Sequence, residues 1–248
     1  MCNIATLYTK TQIIVFGPTK ILSKIDIKGL NIGSDVTIRF KSTVKNLGVL
    51  MDAGLTFENQ VLALKKRCFR TLRNICKIRF LLSQDQLKMV VNSLVVSCLD
   101  YCNALFYGIN EQLLYQLQLI QNAAAKVITG KYKYDHVDSD LVDLHWLDIK
   151  KRVIFKICLL GYKSIMGLAP LYLQNMFQYR HHGHCVKLRV PSHELQYGRR
   201  SFSIAGPRLL NYIPQYIIDS ENIYVFKSKL KTYLFQMNDD EVHRLMNM

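Results

Sequence analysis

The hydrophobic pattern of the chain changes period once, near residue 57. Before that point, a β-branched run at 12–16 is closed by Gly17 and Pro18. Apolar and polar residues alternate over 36–40, and a further apolar run with Gly48 inside it occupies 44–51. Runs of this kind predict three or four short strands. No helical pattern accompanies these strands, so they would form a small sheet that needs a further layer to bury its apolar face.

From residue 57 onward, apolar residues recur at helical spacing. Ser83 with Gln86 has capping-box spacing, Asp148 is a good N-cap, and Gly130 is a good residue to end a helix. We expect helices starting near residues 57 and 83 and helices over about 111–128, 148–166 and 223–236, with short segments at 171–177 and 202–216. Residues 181–201 predict a polar loop, and the acidic tail after residue 236 is expected to fray.

These patterns predict an α+β protein, in which a small N-terminal antiparallel sheet precedes a predominantly α-helical remainder. We expect three regions: a β-rich region over residues 1–56, a helical region over 57–180, and a basic loop with a C-terminal helical segment over 181–248. Hydrophobic residues make up 50% of the chain and charged residues 21%. That composition excludes a disordered chain.

The chain is strongly basic, with 33 Lys and Arg against 18 Asp and Glu and a formal net charge of +15. Such an excess favours a polyanionic partner, although a basic protein with no nucleic-acid role is the alternative. The excess is local. Residues 56–82 carry seven Lys or Arg and one acid, whereas residues 83–130 carry two Lys and three acids.

Four of these cations, Lys66, Arg70, Arg73 and Lys77, are spaced four, three and four residues apart. On an α-helix this spacing places them within roughly 60° of arc, and we call them the basic stripe. A solvated helix surface is the ordinary interpretation of such a row. Glu58 is the one acid nearby, so like-charge repulsion would be unrelieved. The pattern therefore favours phosphate contact, and we predict that the basic stripe binds nucleic acid.

No complete catalytic or metal motif is present. Polymerases and nucleases need at least two carboxylates that converge on metal ions, but the adjacent acids Asp239, Asp240 and Glu241 lie in a polar tail. Walker, G-x-S-x-G and H-E-x-x-H motifs do not occur. Potential metal ligands cluster at His181, His182, His184, Cys185 and His193. This cluster lacks the second spaced ligand pair typical of zinc sites, so we expect no metal or cofactor and no catalytic residue.

The seven cysteines are odd in number, and most lie in apolar helical patterns, as is typical of free thiols in a reducing compartment. Residues 1–10 lack the apolar segment of a signal peptide. The apolar stretch 153–165 is interrupted by Lys156 and Lys163 and is too short to span a bilayer. We therefore expect an intracellular protein, cytoplasmic or nuclear, with no membrane association.

Six sequence blocks resemble, in order and spacing, the C-terminal part of the reverse transcriptase of non-LTR (LINE-type) retrotransposons. Residues 8–17 are similar to the N-x-x-K-T-E stretch that precedes a strand in that family. The next block is residues 44–49 followed by Asp52 and residues 55–57. The others are the runs LDYCNAL at 99–105, LIQNAAAKVI at 119–128, LHWLDI at 144–149 and FKSKLKTYLF at 226–235. The resemblance covers about residues 7–236.

The resemblance implies the end of a palm subdomain, with residues 47–51 near the primer grip, followed by a thumb-like and C-terminal region. In the family an aromatic-x-Asp-Asp box and a further metal-binding Asp lie N-terminal to the Lys-Thr stretch, and neither occurs in this chain. Lys10 matches the family's motif-D lysine, which is thought to help protonate the pyrophosphate leaving group. Leu7 and Gln12 replace the Asn and Glu usual around it. Without the carboxylates, Lys10 has nothing to assist.

The leading expectation is a catalytically incomplete fragment of an RNA-directed DNA polymerase that at most binds an RNA or DNA backbone non-specifically. One alternative is a helical protein-interaction module or an inert pseudogene product. Another is an enzyme that acts in trans with the carboxylates of another chain. Burial of the basic stripe against another part of the chain would weaken the nucleic-acid interpretation.

Overall fold

The computed structural model describes residues 11–24, 29–32, 36–182, 185–192 and 196–247. Its N-terminal part contains a helical turn, α1, and four short strands. These elements are α1 Thr19–Leu22, β1 Gly29–Ile32, β2 Val36–Arg39, β3 Thr43–Asn46 and β4 Val49–Asp52. Strand β1 pairs with β2 and β3 pairs with β4, both antiparallel. The predicted α+β class, with small antiparallel sheets before a helical remainder, is confirmed.

The strands form two separate hairpins where one small sheet was expected. Residues 44–51 do not form one strand, because Leu47 and Gly48 adopt φ values of 45° and 88° and reverse the chain in a two-residue turn. Residues 12–16 contribute an isolated bridge between Ile13 and Phe40 and no strand. Positive φ at Leu47 and Gly48 reverses the chain in the middle of the segment 44–51, and the hydrophobic pattern of that segment did not reveal the turn.

Helices make up most of the remaining structure. They are α2 Glu58–Ile78, α3 Gln84–Val91, α4 Ser97–Asp100, α5 Glu111–Thr129, α6 Asp138–Asp143, α7 Ile149–Ile165, α8 Leu171–Gln174, α9 Gln196–Arg199, α10 Phe202–Tyr212, α11 Gln215–Ile218, α12 Ile223–Gln236 and α13 Asp239–Asn247. Short 3₁₀ segments occur at Arg79–Leu81 and Asn103–Phe106, and the π-helical segment Asn92–Val96 joins α3 to α4. None of the helices in the described ranges is both long and apolar enough to cross a membrane.

The helix ends predicted from side-chain chemistry are confirmed. The Ser83 hydroxyl accepts from the Gln86 N–H, and the Gln86 side chain accepts from the Ser83 N–H, which is the capping box expected at the start of α3. The Asp148 carboxylate accepts from the Lys151 N–H at 2.8 Å and caps α7. Gly130 ends α5 with φ of 81°. Each cap is formed within a few residues, so the sequence is enough to predict it.

Residues 181–201 were expected to be a polar loop, and this expectation is wrong. The segment forms the hairpin of β5 (Tyr179–His182) with β6 (Cys185–Leu188) and contains helix α9. The Asn211 side chain fixes the hairpin to α10, because it accepts from the Leu188 N–H at 2.9 Å and donates to the Leu188 carbonyl at 2.8 Å. The Asn211 side chain, far along the chain, therefore stabilises strand β6, whose own sequence only weakly predicts a strand.

The acidic tail was expected to fray, but it forms helix α13. Val242, Leu245 and Met246 lie three and one residues apart, on one side of this helix, and are buried. The Tyr107 hydroxyl donates to the Leu245 carbonyl at 2.7 Å. Asp239 and Asp240 lie in the first helical turn, where negative charge is favourable. The three apolar residues outweigh the acidic composition that suggested a frayed end.

A continuous hydrophobic core of described residues extends from Val49 to Met246 and includes buried residues of all three predicted regions. Helix α2 packs against α5, and α7 packs against α10, α12 and α13. Near the end of the chain the rings of Tyr162 and Phe226 stack at 3.9 Å, and the Tyr162 hydroxyl donates to the Ser220 carbonyl at 2.7 Å. The N-terminal hairpin β3–β4 and the C-terminal helices are therefore parts of the same packed structure.

Candidate nucleic-acid interface

All four side chains of the basic stripe are exposed to solvent. Helix α2 carries them on the side opposite its core residues Val61, Leu64, Cys68, Leu72 and Ile75, which are all buried. Burial of that apolar side fixes the rotation of the helix about its axis. The side of α2 that faces solvent is therefore the side that carries the stripe.

The charge of the stripe is not neutralised by neighbouring acids. Within the described ranges, no ion pair or side-chain hydrogen bond involves any of its four members. Each neighbouring pair of cations lies three or four residues apart, the spacing at which like charges repel on a helix. A surface that keeps such repulsion is well suited to an anionic ligand, which would relieve it.

A groove runs alongside the stripe, between α2, the β3–β4 hairpin and α4. Its volume is about 600 Å³, and Lys45, Arg67 and Tyr101 contribute to its wall. Arg67 lies about 100° round the helix from Lys66, so this groove adjoins one side of the stripe. Among the described residues that line it there is no carboxylate. We call it the Tyr101 groove, and its charges extend the positive surface.

The wall of the Tyr101 groove is held in place by hydrogen bonds between distant parts of the chain. The Tyr101 hydroxyl donates to the Leu47 carbonyl at 2.5 Å, which anchors the tight turn of the β3–β4 hairpin. The Gln60 side chain accepts from the Leu50 N–H at 2.9 Å and joins α2 to β4. These two bonds fix the hairpin against α2 and α4 and set the width of the groove.

Sequence reasoning missed Lys45, Arg67 and Tyr101 as members of this surface. Arg67 belongs to the same helix as the stripe, but it falls outside its 60° arc. Lys45 and Tyr101 come from a hairpin and a helix end that meet α2 only in the folded chain. No spacing rule connects these three positions, although Tyr101 lies in the run 99–105, one of the six blocks that carry the resemblance.

Helix α2 starts at a strained residue that Asp52 supports. Phe57 occupies the N-cap position with φ of 61°, which side chains rarely adopt. The Asp52 carboxylate accepts from the Phe57 N–H at 2.8 Å and from the Thr56 N–H and hydroxyl at 2.9 and 3.0 Å. Partial burial by itself would raise the pKa of Asp52, but these bonds outweigh it and hold the pKa below its ordinary value of 3.8.

Replacing Asp52 with alanine is expected to destabilise the fold by about 1–2 kcal/mol at neutral pH, because the N–H groups of Thr56 and Phe57, just before α2, lose their acceptor. The folded pKa is depressed, so the carboxylate contributes its full stability above the unfolded value of 3.8 and loses it as pH falls through the lower folded value. Urea unfolding of both proteins across this range measures the difference. Asp143→Ala, at an exposed acid, is the control. A difference in stability between wild type and variant that does not narrow in acid would contradict this role of the Asp52 carboxylate.

The structure adds little about the other residues considered as site candidates from the sequence. Lys10, His184 and His193 lie outside the described residues. Backbone at His181, His182 and Cys185 belongs to the β5–β6 hairpin. Across the described ranges, no group of three or more His, Cys, Asp or Glu side chains is placed to hold a metal ion. Asp239, Asp240 and Glu241 lie in the first turn of α13.

A second cavity, of about 430 Å³, has an almost entirely apolar wall. Its charged member, Arg200, donates from Nε to the Tyr107 carbonyl and from Nη1 to the Leu55 carbonyl, both at 3.0 Å. The guanidinium also lies 5.8 Å from the Phe57 ring. These bonds join the C-terminal part of the chain to the start of α2, so Arg200 has a structural role there.

Comparison with protein-family models, with curated proteins and with solved structures gives no match. The resemblance carried by the six sequence blocks therefore stays a prediction.

Proposed function

We propose that this chain binds the backbone of nucleic acids non-specifically through the basic stripe and the adjoining Tyr101 groove. The observation that carries the proposal is the exposure of four regularly spaced cations with no acid paired to them in the described part of the chain. Lysine and arginine bind phosphates by charge, and they read no base sequence in doing so. Affinity should therefore fall steeply with salt and vary little between unrelated sequences.

The six sequence blocks support a more specific version, in which the chain is a catalytically incomplete fragment of a retrotransposon reverse transcriptase. In this version the β3–β4 hairpin is the end of a palm subdomain and α2 begins a thumb-like region. A thumb holds the primer–template through backbone contacts, which fits a basic helix next to a hairpin. In the same version Lys10 would correspond to the family's motif-D lysine, without the carboxylates that it would assist.

The purified chain is expected to show no primer extension with magnesium or manganese on any template. Metal-dependent nucleotide transfer needs carboxylates that converge on the ions, and the 248 residues contain no aromatic-x-Asp-Asp sequence. The assay measures incorporation of labelled nucleotide, with a complete reverse transcriptase on the same templates as the positive control. Incorporation that persists after contaminating polymerases are removed would disprove the proposed absence of activity.

A helical protein-interaction module is the second candidate. Exposed apolar side chains at Leu168, Leu171 and Tyr172 favour it, because such patches mark interaction surfaces. Salt dependence separates the two functions. Binding of unrelated nucleic acids with affinity that decreases linearly on a log–log salt plot supports backbone binding, whereas no binding at low salt leaves the interaction module as the better description.

A further inference from the structure

Three aromatic rings near one end of the basic stripe are unusually exposed. Phe80 is 82% exposed, Tyr132 82% and Tyr134 86%. Phe80 lies in the 3₁₀ segment that follows α2, three residues after Lys77, and the two tyrosines lie in the loop that follows α5. Large aromatic side chains usually bury most of their area, so this concentration of exposed rings calls for a binding explanation.

The two segments that carry the rings are in direct contact. The Arg79 guanidinium packs on Gly130 at the end of α5 so closely that a Cβ there would collide with it, and Gly130 has φ of 81°. Phe80 is the next residue after Arg79, and Tyr132 comes two residues after Gly130. The C-terminal ends of α2 and α5 therefore bring the two segments that carry the rings together, at the end of α2 that follows Lys77.

The loop that presents the tyrosines is fixed by its own hydrogen bonds. Lys126 Nζ donates to the Lys133 carbonyl at 2.6 Å, and the Tyr132 N–H donates to the Asp135 carboxylate at 2.6 Å. Lys131 Nζ donates to the His136 carbonyl at 3.1 Å and pairs with Asp140 at 2.9 Å. The backbone is thus held in place while the two rings stay in solvent, so a ligand would meet an ordered surface.

Cations lie beside the rings. Lys77 and Arg79 precede Phe80 in the chain, and Lys133 Nζ lies 5.3 Å from the centre of the Tyr134 ring. This loop and α6 also carry four acids: Asp140 is paired with Lys131, Asp135 accepts from a backbone N–H, and Asp138 and Asp143 lie further along α6. Aromatic faces beside cations are the combination with which proteins bind unpaired nucleic-acid strands, because every base has a face that can stack. Bases inside a duplex are already stacked on each other and are not available.

We propose that Phe80, Tyr132 and Tyr134 form a base-stacking site for single-stranded nucleic acid at the C-terminal end of the basic stripe. This inference rests on the proposed function and narrows it: the stripe holds the phosphates of any nucleic acid, and the aromatic site adds affinity for strands with unpaired bases.

The test is equilibrium binding by fluorescence anisotropy, with the double variant Tyr132→Ala/Tyr134→Ala. The probes are a single-stranded oligonucleotide, the duplex of the same sequence, and an abasic single strand with the same number of phosphates. The variant should bind the single strand at least about 5-fold more weakly for each ring removed. Its affinity for the duplex and the abasic strand should be unchanged. Tyr132→Phe/Tyr134→Phe keeps the rings and should bind like the wild type.

Tyr224→Ala is a matched control, because Tyr224 is 77% exposed and has Lys227 Nζ 5.7 Å from its ring centre on another helix. Equal weakening by this variant, or by the phenylalanine pair, would overturn the stacking site. So would unchanged single-strand affinity in the alanine pair while the wild type still binds with a steep salt dependence, and that result would leave backbone binding intact. A wild type that binds none of the probes would overturn both proposals.

Discussion

Replacement of all four residues of the basic stripe by glutamine is expected to reduce the magnitude of the slope of log affinity against log salt by about 2.8 to 3.6. Each phosphate contact releases counterions and contributes about 0.7 to 0.9 to that slope, the smaller value for single strands. Binding should weaken by similar factors on unrelated sequences, because backbone contacts carry no base information. A salt titration of the wild type and the variant on single-stranded and duplex probes measures both effects.

The same substitution should leave the fold intact. Glutamine is a good helix former, and the four exposed side chains have no partner to lose among the described residues. Loss of three like-charge pairs stabilises α2 by about 0.2–0.5 kcal/mol each. Loss of Lys77 from the last helical turn removes a favourable dipole interaction of about 0.3–1 kcal/mol. The two effects oppose each other, so the free energy of unfolding should stay within about 1 kcal/mol of the wild type.

A charge-matched variant separates the stripe from the overall charge of the protein. The control replaces four other exposed cations of the C-terminal part with glutamine: Lys187, Arg189, Lys229 and Arg244. Both variants remove four charges from the net +15. The control should keep most of the wild-type slope. Equal slopes in the two variants would mean that nucleic acid responds to net charge alone, and an unchanged slope in the stripe variant would favour the interaction module.

Truncation of Phe226 to alanine is expected to destabilise the protein by about 3–5 kcal/mol, the usual cost of removing a fully buried aromatic ring. Phe226 has no exposed surface, and its ring stacks on Tyr162. For a chain of this size, the loss corresponds to a melting temperature lower by about 6–10 °C. Urea and thermal unfolding followed by circular dichroism measure it.

Two control variants show which interactions account for the stability lost on truncating Phe226. Tyr162→Phe keeps the stacked ring but leaves the buried Ser220 carbonyl without its donor, and should cost about 1–2 kcal/mol. Tyr224→Ala, two residues from Phe226 on the same helix but exposed, should change stability by less than about 0.5 kcal/mol. A Phe226→Ala loss below about 1 kcal/mol would show that α12 is not an integral part of the core in solution.

The burial of Phe226 also gives a physical meaning to one of the sequence blocks. Within the run at 226–235, Phe226, Leu230 and Leu234 recur every four residues, and all three are fully buried. The lysines between them are partly or fully exposed. This block is thus explained by core packing, whereas the basic stripe has no packing role that would require its residues.

The sequence by itself determined the features that depend on neighbours within one or two helical turns. The caps at Ser83, Gly130 and Asp148 and the exposed side of α2 followed from spacing, because side chains three or four residues apart meet on a helix whatever the rest of the chain does. The α+β order followed in the same way from the change of hydrophobic period near residue 57.

Tertiary structure alone decided which distant elements meet. Asn211 holds the β5–β6 hairpin, the core buries Val242 and Leu245 and thereby forms α13, and Tyr101 anchors the turn at Leu47. The Tyr101 groove and the aromatic site likewise combine residues from separate elements. Such contacts form when the buried sides of two elements pack together, and this packing stabilises the fold only once both elements are formed. No local periodicity in the sequence predicts them.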